Sequence, residues 1–282
     1  MTTPLSLEAV VARVKGLPPL PDIVHQLDRA VRDERAGTER IVHLVSSDPA
    51  LTTAVLRLAN SSFYGVSGRA VTLADAVRIH GLQTLSAAVM TAAVMTRFDR
   101  SACPGFDFES SWRHALATAL CAQLLAKTRG HDEGHAYTAG LLHDIGSLAL
   151  ATWYPAEFSS TLAWSQRHQV LPMEAEHELL GIDHAQVGWK VAEHWRLAPV
   201  IGEAIRRHHD EGAAEARDGL LDVLHLADNI THALDMSQAA NDMVPPLSTA
   251  TWERMQMGTD ELQLLFRHIE DRMGHLDLGL KA

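Results

Sequence analysis

The sequence predicts an all-α protein, and three observations carry that expectation. Strand signals are scarce: aromatic residues make up 5% of the chain, and no run of two-residue alternation is bounded by hairpin turns. Apolar residues recur at helical spacing, and cap residues stand where those segments begin. Asp48-Pro49 reads as an N-cap followed by proline at the first helical position, where its missing N–H costs nothing. Leu51, Val55, Leu58 and Ala59 then share one face. Thr72 with Asp75 reads as a capping box opening the next helix, with Leu73, Ala76 and Val77 inward. Gly81 interrupts that helix before the apolar segment Leu82–Met95. From Arg97 to Phe108 the pattern breaks, with Cys103-Pro104-Gly105 as a turn. A boundary is expected there, between an N-terminal helical subdomain, 1–105, and a second one, 106–282.

Beyond it, helices are expected over Trp112–Lys127, His135–Trp153, Pro155–His168, Pro172–Leu180, Ala185–Trp195, Pro199–His209, Leu220–Leu234 and Asp260–Met273. Gly130, Gly134, Gly181 and Gly219 punctuate them, and Asn241–Ser248, with Pro245-Pro246, reads as a loop. No internal repeat or low-complexity tract is visible.

Composition narrows the function classes. With 46% hydrophobic and 21% charged residues over 282 positions, the chain can build a sizeable core. Lys and Arg number 24 against 35 Asp and Glu, a formal net charge of −11. That balance argues against a broad nucleic-acid surface, which needs clustered cations. Cys103 and Cys121 form neither a disulfide framework nor a CxxC pair. The start, MTTPLSLEAVVARVKG, shows no basic stretch followed by an apolar core, so no secretory signal is read. Leu82–Met95 falls short of the roughly 20 residues that span a bilayer. A soluble protein of a reducing compartment, the cytoplasm, without a membrane partner, is the expectation.

Histidine is the unusual count, at 17. The sharpest local feature is Gly140-Leu141-Leu142-His143-Asp144-Ile145-Gly146, a polar pair late in an otherwise apolar helix. A buried carboxylate is costly unless it is paired or coordinates a metal. Taken alone, the segment fits equally well a core histidine bonded to backbone, with Asp144 capping something nearby. It is joined, however, by His114 in the preceding helix, and by His184, the pair His208-His209 and Asp228 downstream. Imidazoles and carboxylates drawn from successive helices are how helical bundles build metal sites. Nitrogen and oxygen ligands without thiolate suit iron, manganese, zinc or nickel, and a bridging carboxylate suits two ions. Of the other histidines, His225 lies three residues before Asp228; the rest, His232 included, show no spacing that joins them to this set. Arg206-Arg207 could offer a guanidinium to phosphate, though a solvated helix face is the better explanation of the pair. Asn60 reads as a buried asparagine fixing the turn before Phe63.

These residues resemble a known family. His114, His143-Asp144 and Asp228 are similar to the H…HD…D signature of the HD superfamily of metal-dependent phosphohydrolases. Further segments, in order over residues 17 to 230, resemble its HDOD branch. They are Leu17-Pro18-Pro19-Leu20-Pro21, Ser47-Asp48-Pro49-Ala50-Leu51, the run from Leu56 to Gly65 and that from Ala76 to Leu82. The run from Ala136 to Gly146, Gly181-Ile182-Asp183-His184, Trp195-Arg196-Leu197-Ala198-Pro199 and His208-His209 continue the likeness.

The resemblance implies an N-terminal helical subdomain packed on an HD-type multi-helix core, in a bacterial signalling module that acts through partner proteins. The metal ligands that many HDOD domains lack are kept. The set is also similar to that of the HD-GYP cyclic-di-GMP phosphodiesterases. That likeness implies one metal held by His114, His143, Asp144 and Asp228. Asp144 would bridge to a second, held by His184, His208 and His209. Three departures bear on catalysis. Ser147 stands where active HD enzymes commonly carry lysine, no GYP segment follows, and Ser110 in place of an acid four residues before His114 would also remove a possible further ligand. The rival expectation is a two-metal phosphohydrolase acting on a nucleotide or cyclic dinucleotide, with Asp144 at its catalytic centre.

Overall fold

The computed structural model describes residues 4–32, 38–61, 63, 70–98, 103–210, 219–240 and 242–274. Ser62, Tyr64 and Gly65 of the family-like run, Asn241 of the expected loop, and residues 99–102 within the pattern break lie outside the described residues. Among those described there are helices and no strands, as the sequence predicts. They form two compact units: residues 1–18 with 98–266, and residues 19–97 with 267–282. The limits drawn from the sequence, 1–105 and 106–282, assign the two termini the other way.

The smaller unit contains α2 (Asp22–Arg32), α3 (Thr38–Ser46), α4 (Pro49–Ala59) and α5 (Leu73–Met95). Asp48 caps α4, its Oδ1 accepting from the N–H groups of Ala50 and Leu51 at 3.0 Å each. At α5 the Thr72 hydroxyl accepts from Asp75 N–H at 3.1 Å, while the Asp75 carboxylate accepts from Thr72 N–H at 3.0 Å. Gly81 breaks the helical path with φ 81° and ψ 169°. Past it, every residue from Ala87 to Val94 is buried, against α2, α3 and α4. An apolar run of this length is thus the core of a helical unit. Among the described residues no helix is long and apolar enough to cross a membrane. Asn60 differs from expectation: it is exposed, and its amide pairs both ways with the Ala70 backbone at 2.8 Å, joining the two ends of the 61–70 segment.

The larger unit contains α1 (Leu7–Gly16), α6 (Phe108–Arg129), α7 (Glu133–Leu142), α8 (Ile145–Trp153), α9 (Pro155–His168), α10 (Pro172–Leu180), α11 (His184–His194), α12 (Pro199–Arg207), α13 (Gly219–Ala233), α14 (Thr249–Met255) and the first residues of α15 (Thr259–Met273). The opening segment is held by two donors: His194 Nε2 to the Leu17 carbonyl at 2.8 Å and Trp195 Nε1–H to the Pro18 carbonyl at 3.1 Å. The expected helix His135–Trp153 is in fact two, α7 and α8, separated at His143-Asp144. The apolar pattern runs through this break because both helices are buried, so periodicity carried no sign of it.

Small residues let these helices approach closely. A Cβ at Gly140 would lie 2.7 Å from Ala119 Cα, so α7 sits on the backbone of α6. A Cβ at Gly146 would overlap the His184 carbonyl and lie 2.9 Å from Gly188 N, so α8 sits on the start of α11. Adding atoms to a packed interior typically costs about 1–3 kcal/mol, and here the obstacle is backbone. Gly146→Ala is therefore expected to lower unfolding free energy by at least about 2 kcal/mol in urea, at unchanged slope. An unchanged midpoint would contradict this packing.

Candidate metal centre

Each side chain of the cluster is delivered by a local backbone feature. Asp107 caps α6 through Glu109 and Ser110 N–H, and His114 lies two turns along its buried face. His143 keeps helical angles at the end of α7, whereas Asp144, at φ −99° and ψ 14°, leaves the helix and heads α8. It makes no cap bond, so its carboxylate is available to the cluster. Asp183 caps α11 through Gln186 N–H at 2.7 Å and makes His184 its first residue. His208 and His209 follow the last residue of α12, and Asp228 lies in the buried middle of α13.

All seven residues named as ligand candidates from the sequence converge. Asp144 turns Oδ2 toward His143 Nε2 (3.4 Å) and His114 Nε2 (3.9 Å), and Oδ1 toward His184 Nε2 (3.2 Å) and His208 Nε2 (3.6 Å). Asp228 Oδ1 is 3.0 Å from His114 Nε2 and 3.3 Å from His143 Nε2. The Nε2 atoms of His114 and His143 are 3.1 Å apart, and those of His184 and His209 are 2.9 Å apart. Asp144, His184, His208 and His209 could hold one metal ion, and His114, His143 and Asp144 another.

The hydrogen bonds behind the rings fit a cation in front of them. His143 Nδ1–H donates to the Gly140 carbonyl and His208 Nδ1–H to the Ile205 carbonyl, each at 2.7 Å. A carbonyl only accepts, so Nδ1 carries the proton and Nε2 of the neutral ring presents a bare lone pair. His184 is fixed by Glu176, whose Oε2 accepts from both Nδ1–H and the backbone N–H at 2.7 Å. His208 Nε2 is buried with no hydrogen-bond partner. Lone pairs facing a carboxylate need a proton or a metal between them.

Without metal, protons take that role. Burial works against ionisation of Asp144 and Asp228, but the surrounding imidazoles outweigh it and hold both carboxyls well below their ordinary range. Burial likewise opposes charge on His143 and His184; Asp144 for the former and Glu176 for the latter prevail, raising both. Burial and the neighbouring imidazoles lower His114 and His209.

Sequence reasoning missed three participants. His232, set aside for want of spacing, lies 3.4 Å from Asp228 Oδ1, and its ring is tilted 38° against that of His114 with centroids 4.2 Å apart. The signal was its position four residues after Asp228 on one helix face. Asp242 accepts from His232 Nδ1–H at 2.6 Å and from the Ser237 hydroxyl at 2.8 Å. Glu176 had no local signal, lying eight residues before His184 across the α10–α11 turn. His225 faces backbone, its Nδ1 on the His208 carbonyl and its Nε2 accepting from Ser248 N–H. Arg206 and Arg207 do not join the cluster. Arg206 lies over Trp189 and near Glu203, and Arg207 donates to Asp210 at 2.8 Å.

A helical core with clustered histidines and aspartates at an HD pair defines an HD-type protein. Residues 17–211 match the model of the HDOD domain, and the chain belongs to that family. An HDOD domain protein of unknown function from Geobacter sulfurreducens has a solved structure that is 26% identical, with a TM-score of 0.72 and coverage of 96% of this chain and 91% of that one. A Marinobacter aquaeolei VT8 protein, provisionally assigned to signal transduction, is 25% identical with a TM-score of 0.74 over 95% of this chain and 63% of its own. A Shewanella amazonensis SB2B protein, provisionally assigned as a phosphohydrolase, is 29% identical with a TM-score of 0.67 over 96% and 90%. An uncharacterized protein of Treponema pallidum is 27% identical over 207 residues, 72% of this chain and 39% of that protein. The chain thus spans about two fifths of that curated relative.

His232 gives a pH signature in metal-free protein. Burial lowers its affinity for a proton, but Asp228 and Asp242 outweigh it and raise the group to about 10 from an ordinary 6.5. A raised histidine stabilises the fold fully below the unfolded value and loses that contribution as pH rises through the folded one, here from 6.5 toward 10. NMR titration of chelator-treated protein should show His232 charged at pH 8, and Asp242→Asn should bring its midpoint down toward the ordinary histidine range. An identical titration in the variant would refute the pairing.

Proposed function

We propose that this HDOD protein is a regulatory module of bacterial signal transduction whose HD-type core holds two divalent transition-metal ions. The observation that carries this reading is the convergence of five imidazoles and two carboxylates, with an orphaned buried Nε2 on His208. His114, His143, Asp144 and Asp228 hold one ion; Asp144, His184, His208 and His209 hold the other. The donor set, nitrogen and oxygen without thiolate, suits iron, manganese, zinc or nickel. Ions bound here supply charge neutralisation and Lewis acidity. Ligands come from α6, α11 and α13, the α7–α8 break and the end of α12, so occupancy favours one packing of these helices over looser ones. Partner signalling proteins in the cytoplasm then read that packing. Family membership and the likeness to the Marinobacter protein support the signalling role.

A second reading, a phosphohydrolase acting on a nucleotide or cyclic dinucleotide, is favoured by the convergence of the seven candidate ligands and by the likeness to the Shewanella protein. Asp144 would be the residue it cannot spare. Ser147 weighs against it, because it leaves a transferring phosphoryl group without the lysine found in active relatives.

Elemental analysis of untagged protein purified without chelator tests the reading. About two ions per chain are expected, falling in His143→Ala and Asp144→Ala. Glu176→Gln, which releases His184 Nδ1, should weaken the second ion about 10- to 100-fold. Folded protein purified without metal would sink the metal centre. Turnover of cyclic dinucleotides with Mn²⁺, abolished by Asp144→Ala, would replace the regulatory reading with the enzymatic one.

A further inference from the structure

A cavity of about 340 Å³ opens onto the cluster within the larger unit. At one end stand His114, Asp144, His184, His209 and His232, the imidazole face just described. Away from it the wall is mixed: Phe106, Phe158, Leu162, Met173, Met243 and Pro245 give it apolar faces, between which stand serines and Gln166. Its volume lies in the range of small-molecule sites, which combine apolar walls with a few convergent polar groups.

The charges along the wall restrict what can enter. No Lys or Arg is among the described residues that line it, whereas Asp107, Asp144, Glu176 and Asp242 do. Asp107 is engaged with the start of α6 and Asp242 with His232 and Ser237. Glu176 keeps Oε1 buried and without a hydrogen-bond partner. Ser147, in the place of the lysine of active relatives, lines the cavity too. One anionic head can sit at the imidazole end. A second phosphate would meet carboxylates, apolar side chains and neutral hydroxyl or amide groups, with no Lys or Arg among the described lining residues to compensate its charge.

We propose that the cavity binds a small molecule with a single carboxylate head and an uncharged, largely apolar body, and that it discriminates against cyclic dinucleotides and nucleoside polyphosphates. The head rests on the metal-centre reading above; the selection by the wall is a property of this chain's own residues.

Isothermal titration with octanoate, octyl phosphate and cyclic di-GMP, on one sample whose metal content is measured, tests both separately. Octanoate is expected to bind at least about tenfold tighter than octyl phosphate, which has the same tail and more charge, and cyclic di-GMP more weakly than either. Met173→Trp, filling the cavity from its half-buried wall, should weaken octanoate by at least about tenfold without changing metal content; Leu162→Trp does the same from α9 should the first variant misfold. Ser147→Lys should raise octyl phosphate affinity more than octanoate affinity. Equal or tighter binding of octyl phosphate or cyclic di-GMP overturns the inference, as does octanoate binding unaffected by both tryptophans. Absence of octanoate binding overturns it whatever the metal content, whereas metal-free protein that keeps the expected ranking removes only the metal-centre reading.

Discussion

One carboxylate organises the larger unit. Asp144 stands where α7 has ended and α8 has not begun, and its two oxygens face imidazoles from opposite sides of the cluster. Three of those rings are fixed from behind, by the Gly140 carbonyl, the Ile205 carbonyl and Glu176. Their orientation is therefore independent of what lies between them and Asp144. Such a preset ring geometry suits a cation, because the ordering of ligands has been met by folding rather than by binding. It also sets a demand: the cluster needs positive charge at its centre, as protons or as metal.

The demand reaches into the packing. Helices that contribute ligands must come within the span of short side chains, and α6 does so with Ala115, Ala117, Ala119 and Ala122 buried along it. Gly140 admits α7 against Ala119, and Gly146 admits α8 against His184. The glycine two residues after Asp144 is thus a spacing device for the cluster itself. The same approach that places His184 before Asp144 leaves no room for a Cβ at 146. The smaller unit solves a different problem, burying the 87–94 stretch of α5 on every face, with α2, α3 and α4 packed against the helix.

Much of this was legible in the sequence where the signal is local. Asp48, the Thr72–Asp75 box and the prolines at 155, 172 and 199 mark helix starts through contacts within four residues, and the structure has those starts. The ligand candidates stood out because polar pairs inside apolar runs are conspicuous. What escaped depends on contacts across the fold. Helices α1, α2, α3 and α14 have 7 to 11 residues and are short enough that burial, more than propensity, stabilises them. The break at His143-Asp144 carries no proline, and its two polar residues turn into the interior rather than to solvent, so it lacks the usual mark of a loop. Glu176 reaches His184 only through the turn between α10 and α11. His232 was within reach, since Asp228 and a helix period point to it.

Retaining metal ligands and retaining catalysis make different demands on this chain. His143, His184 and His208 are buried and bonded from behind, so loss of one leaves a polar atom unpaired in the interior, a penalty for folding as much as for chemistry. A phosphoryl-neutralising cation sits on the cavity wall, where replacement by Ser147 costs the fold little. Ser147 can therefore stand in this wall while the imidazoles stay in place. Under the inference drawn above, a wall that carries carboxylates and, among its described residues, no Lys or Arg would disfavour a multiply charged phosphate ligand. The features that weaken the case for a phosphohydrolase are then the features that describe a different ligand.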